Sequence, residues 1–92
     1  MSDVLPLAVT IADAVLYQEL EDEVVLLNME NQQYYGLNDV GAKMWKSLME
    51  SGNIAVAGEL LSQTYEIEQA VIRSDLESLV RDLLKAGLLK AS

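Results

Sequence analysis

The apolar residues of this 92-residue chain change their spacing near residue 38, and that change constrains the fold more than any other feature. Before it the pattern is that of strands. Val15-Leu16-Tyr17-Gln18-Glu19-Leu20 and Glu23-Val24-Val25-Leu26-Leu27-Asn28 are rich in β-favouring residues, and the polar Glu21-Asp22 between them marks a hairpin. A second polar connection, Glu30-Asn31-Gln32, leads to Gln33-Tyr34-Tyr35-Gly36-Leu37, whose aromatics and two-residue period predict a third strand. The expected product is an antiparallel meander.

Beyond residue 38 the spacing becomes helical. Asn38 or Asp39 offers a side-chain oxygen to cap a helix from about Val40 to Glu50, with Val40, Met44, Trp45 and Leu48 on its apolar face. Ser51-Gly52-Asn53 stops it, and Asn53 caps a second helix from Ile54 to about Thr64, with Ala57, Leu60, Leu61 and Tyr65 in phase. A third helix is predicted from near Glu68 to Ala86. Its Ile72, Leu76, Leu79 and Leu83 fall within about one-sixth of a turn at ~100° per residue, and Val80 and Leu84 widen the stripe. Gly87 suits the left-handed residue that ends a helix, and Leu88 the apolar contact that accompanies it. Residues 1–14 are set apart as a tail or accessory strand, because Leu7, Val9 and Ile11 alternate while Ser2, Asp3 and Pro6 suggest a loose start. Three strands followed by three helices, with one sheet face to cover, predict an α+β domain of winged-helix type over residues 15–92.

The side-chain inventory excludes several chemistries. With no cysteine and no histidine the chain has no disulfide, no thiolate nucleophile, no cysteine or histidine zinc site and no imidazole base. No convincing carboxylate pair replaces them, so neither catalysis, a metal nor a cofactor is expected. The acidic cluster Glu19, Glu21, Asp22 and Glu23 lacks the alternating oxygen ligands and glycine of a calcium loop and reads as a solvated turn. Six basic against fifteen acidic residues give a formal charge of −9, which repels nucleic-acid phosphates and favours basic or neutral partners. No apolar run approaches membrane-spanning length and the N-terminus has no signal-peptide pattern, so a cytoplasmic location is expected, away from the membrane.

The third strand lies at a sheet edge if the meander order holds, and it carries no lysine or proline to blunt that edge. Tyr34 and Tyr35 read either as ordinary strand aromatics or as walls of a peptide groove, Tyr35 sharing a face with Leu37, and Tyr34 with Gly36. Trp45 reads as a core anchor. On the last helix, Arg73, Asp75, Glu77, Arg81 and Asp82 read as its wet side, with Glu77 and Arg81 four apart, or else place Arg73 on a groove rim near Val80 and Leu84.

Val25-Leu26-Leu27-Asn28, Gln33 through Asn38, Val40-Gly41-Ala42 with Trp45 and Leu48, and Tyr65 through Glu68 leading by Arg73 and Asp75-Leu76 to Ala86-Gly87-Leu88-Leu89 resemble the PqqD-like family. The likeness spans residues 15–89 and is nearest the stand-alone proteins of lasso-peptide systems. It implies a RiPP recognition element, a non-catalytic module that binds the leader of a ribosomally made precursor peptide. The leader would add as a strand beside Gln33, Tyr34, Tyr35, Gly36 and Leu37, with Arg73, Leu76, Val80 and Leu84 of the last helix meeting its apolar residues. A separate leader peptidase or modifying enzyme would act on the precursor. Two positions depart from the family pattern: Glu68-Gln69 replaces an aspartate-proline helix start, and Gly36 replaces a larger side chain. The alternatives are a structural or scaffold subunit of an enzyme complex, and a winged-helix nucleic-acid binder. Against the latter, Glu68, Asp75, Glu77 and Asp82 outnumber Arg73, Arg81 and Lys85 on the last helix.

Overall fold

The computed structural model describes residues 5–92; Met1–Val4, assigned above to the tail, lie outside the described residues. The chain runs β1 (Val9–Ile11), β2 (Val15–Glu19), β3 (Val24–Asn28), β4 (Gln33–Leu37), α1 (Asp39–Ser51), α2 (Ile54–Tyr65), α3 (Gln69–Lys85) and β5 (Leu89–Ala91). The fold is α+β, a three-stranded antiparallel sheet in the order β2-β3-β4 followed by three helices. In β3, Val24, Leu26 and Asn28 are buried and alternate with half-buried Val25 and Leu27, so one sheet face packs on the helices. Register carries the division across the sheet. Tyr17, Leu26 and Tyr35 lie side by side on the helix-facing side, while Leu16, Leu27 and Tyr34 share the opposite side.

Helix boundaries follow local capping chemistry. Asn38 Oδ1 accepts from Gly41 N at 3.0 Å and Asn53 Oδ1 from Val56 N at 3.1 Å, each satisfying an amide that the first helical turn leaves unpaired. Gly52, at φ 67°, ends α1 and donates to Leu48 O. Glu68, which stands where the family pattern has aspartate, supplies no side-chain cap to α3. At the other end of α3, Leu88 N donates to Leu83 O (2.9 Å) and Gly87 N to Leu84 O (3.1 Å), the paired bonds of a Schellman motif with Gly87 at φ 73°.

That motif also fastens the sheet. Asn28, buried and polar, donates from Nδ2 to Gly87 O at 3.3 Å and accepts at Oδ1 from Glu30 N at 2.9 Å. A Cβ on Gly87 would meet Asn28 Nδ2 at 3.2 Å, on a backbone that L-residues disfavour. Gly87→Ala is therefore expected to lower stability by about 1–2 kcal/mol. Thermal denaturation checks this, with a fall in Tm of roughly 5–10 °C expected for a domain of this size; an unchanged Tm would contradict it.

The segment before β2 contributes a strand whose partner lies at the other end of the chain. Val9–Ile11 pairs antiparallel with Leu89–Ala91, in the register Val9 to Ala91 and Ile11 to Leu89. Val9 N also donates to Gly52 O (3.0 Å) and Ile54 N to Leu7 O (2.8 Å), seating this segment on the α1–α2 turn. Lys90 Nζ sits 2.8 Å from Asp13 Oδ1, and its hydrogen bond and charge hold the Asp13 carboxyl below the usual carboxylate range. The core joins these parts: Val24 and Leu26 from the sheet meet Trp45 and Leu48 of α1, Ile54 of α2, and Leu76, Val80 and Leu83 of α3, all fully buried or nearly so.

Candidate peptide-binding groove

Hydrogen-bond parity decides which backbone groups of β4 are free. Leu20 N donates to Glu23 O (2.8 Å) and Met29 N to Ala14 O (2.7 Å), so the odd-numbered residues from 23 to 29 turn their amides and carbonyls toward β2. The even-numbered Val24, Leu26 and Asn28 therefore turn toward β4, opposite Leu37, Tyr35 and Gln33. What remains on β4 is alternate: Tyr34 and Gly36 direct N–H and C=O outward, to the edge that no strand among the described residues occupies. Their side chains belong to the sheet face away from the helices, where Tyr34 is 74% exposed and a Cβ on Gly36 would touch nothing within 4 Å.

Beside that edge runs a groove of about 390 Å³ between β4 with the start of α1 and one side of α3. Tyr35, Leu37, Val40 and Met44 make its apolar side, and Asp75, Ser78, Leu79 and Asp82 line it from α3. The α3 residues lie at i, i+3, i+4 and i+7, which is one helix face. Gly41 lets α1 start close against the strand, since a Cβ there would lie 3.3 Å from Leu37 Cβ.

The structure brings Gln33, Tyr34, Tyr35, Gly36 and Leu37 together at the edge, with Tyr35 half-buried above the core and Leu37 buried. It separates the four α3 residues implied by the family likeness. Leu76 and Val80 are fully enclosed in the core. Arg73 lines a different cleft, with Ala55, Gly58, Glu59 and Gln69 at the α2–α3 contact, and its Nε lies 3.0 Å from Glu77 Oε2. Leu84 packs half-buried against the core, about half a turn around α3 from Asp75. The wide apolar stripe of α3 is thus used on its Arg73 flank by α2, and the groove receives the flank carrying Leu79 among polar residues. Asp75 and Asp82 read from spacing alone as a solvated face, and Ser78 gives no signal of its own, because polar residues at helical spacing look alike whether they meet water or line a groove.

The open face of the sheet forms a second exposed apolar surface, with Leu16, Val25, Leu27 and Tyr34 across its three strands. Among the described residues no cluster of acidic side chains is arranged to hold a metal ion, and no helix is long and apolar enough to cross a membrane.

A family model described as coenzyme PQQ synthesis protein D (PqqD) matches residues 23–89, most of the chain. The chain belongs to the PqqD family. This PqqD-family chain is similar to the solved structure of TbiB1 in complex with the TbiA(beta) leader peptide, at 30% identity and TM-score 0.82, over 89% of this chain and 95% of that one. A lasso peptide synthetase B1 complexed with the leader peptide has the same fold, with 23% identity and TM-score 0.80 over 90% of this chain and 98% of the other. Among curated proteins none matches. The part matched to PqqD holds β3, β4 and all three helices, hence both walls of the groove, whereas β1 and β2 precede it.

Proposed function

We propose that this PqqD-family chain is a RiPP recognition element that binds the leader of a ribosomally synthesised precursor peptide by strand addition, in lasso-type peptide biosynthesis. The observation that carries this reading is the pair of outward-facing peptide groups at Tyr34 and Gly36 beside a groove with one apolar side. A guest strand running antiparallel to β4 meets two N–H donors and two C=O acceptors, each hydrogen bond contributing a net ~0.5–1.5 kcal/mol. Side chains of the guest alternate. One set is directed into the groove against Tyr35, Leu37, Met44 and Leu79, and the other lies on the open sheet face beside Tyr34 and the space over Gly36. Backbone pairing supplies affinity whatever the guest's sequence, and the groove supplies selectivity.

On this reading the module performs no chemistry itself, needs no cofactor, and works in the cytoplasm, where precursors are made. The absence of histidine and cysteine supports that division of labour. Bond breaking and forming fall to a separate leader peptidase or modifying enzyme, to which the bound precursor is presented.

Amide hydrogen exchange with and without a lasso-precursor leader peptide tests the proposal. Protection is expected at the Tyr34 and Gly36 amides, and more weakly along the Asp75–Asp82 side of α3. Protection at Val15–Glu19 instead would place the guest on the opposite sheet edge and sink the assignment.

A further inference from the structure

Resting on the strand-addition reading, we propose that the groove selects leader segments in which an apolar anchor is flanked by lysine or arginine side chains, read by Asp75 and Asp82. The wall that α3 presents to a guest on β4 is chemically divided. Leu79 is nearly buried at its middle, while Asp75 and Asp82 are exposed on either side of it and Ser78 lies between. No lysine or arginine lines the groove, and neither aspartate has a salt-bridge partner among the described residues. The two carboxylates stand seven residues apart, about 10.5 Å along the helix. An extended guest covers that distance in about three residues at ~3.3 Å each. A strand aligned with α3 that lowers one apolar side chain onto Tyr35, Met44 and Leu79 carries the next side chains of the same set, two residues to either side, past one aspartate each.

The charge at these two points has a consequence for discrimination beyond the attraction any basic peptide feels toward a chain of net charge −9. An acidic side chain beside the anchor would approach a carboxylate within the groove, where like charges repel each other. A cation at the same place gains a pair whose lysine or arginine stem continues the apolar contact along the groove. Asp75 and Asp82 are specificity-determining residues in this scheme, and Leu79 marks the anchor's place.

Panning a display library of short random peptides on the full chain tests this. Enriched peptides are expected to share an apolar residue with lysine or arginine within about three positions on both sides. For an enriched peptide, the double variant D75N/D82N should raise Kd roughly fivefold, the effect of two partly exposed ion pairs. A control, E59Q/E66Q, makes the same change in net charge at exposed positions in and just after α2, outside the groove, and should change Kd less than twofold, about the size of a screened long-range effect. Panning on D75K/D82K should enrich acidic flanks. Enriched peptides without basic flanks, or equal weakening by the two neutralised pairs, would overturn the inference while leaving strand addition standing if the Tyr34 and Gly36 amides are still protected. If no peptide is retained, or retained peptides leave those amides unprotected, strand addition and this inference fall together.

Discussion

Tyr34→Pro is expected to abolish leader binding, weakening it about a hundredfold or more, while leaving the fold intact. Tyr34 directs its amide to the open edge of β4, so proline removes a donor that pairs with no strand among the described residues and that the proposed guest strand would use. The ring also intrudes on the space the guest backbone must occupy. Losing one backbone bond and the close approach of its neighbours amounts to about 2–3 kcal/mol, hence the factor. The neighbouring substitution should behave in the opposite way. Tyr35 turns its amide toward Leu26 of β3, so Tyr35→Pro breaks the ladder of the sheet itself and should lower Tm before any question of binding arises. Calorimetric titration with the leader, together with thermal melts of both variants, separates the two effects. A Tyr34→Pro chain that binds as tightly as the parent would show that the guest does not pair with this edge.

Trp45→Ala should cost about 3–5 kcal/mol of stability, the range for removing a buried aromatic side chain. Trp45 is fully enclosed on α1 beneath the sheet, and its ring meets Tyr17 edge-on with centroids 5.3 Å apart and planes at 67°. A domain this small has only some 5–15 kcal/mol in total, so the variant should be marginally folded at best. Trp45→Phe should be milder, at about 1–2 kcal/mol. It keeps an aromatic ring in the space, and it removes an indole N–H that is buried with no acceptor among the described residues. Urea denaturation followed by circular dichroism measures both; a Trp45→Ala chain as stable as the parent would mean that the core is not built around this residue.

The meander and the three helices were legible because each is written in local spacing. Strand alternation through Val24, Leu26 and Asn28, the caps at Asn38 and Asn53, and the glycine stop at Gly87 act over a few residues, and the structure keeps them. The pairing of β1 with β5 was not legible. Val9–Ile11 alternates, and Leu89-Lys90-Ala91 is too short to declare itself as a strand; the register between them depends on where the helices bring the chain. On α3, periodicity fixed which residues share a face but not which neighbour that face meets. Val80 and Leu84 widened the apolar stripe and drew attention to the Arg73 flank, whereas the groove lies on the side where Leu79 is surrounded by Asp75, Ser78 and Asp82. A helical wheel assigns angles; only packing against α2 assigns them to partners.

The clasp between β1 and β5 bears on how the chain is born. Its strands are about 80 residues apart, and closing a loop of that length costs on the order of 4 kcal/mol before any contact rewards it. A three-residue strand pair recovers too little to meet that cost alone, so the clasp forms only when the packed helices have already drawn the two segments together. The meander can assemble on the ribosome once Leu37 has emerged, but α3, the far wall of the groove, is finished only at Lys85 and the clasp only at Ala91. Edge, groove and clasp are therefore completed in that order, and a nascent chain exposes the unpaired edge of β4 before the α3 wall beside it exists.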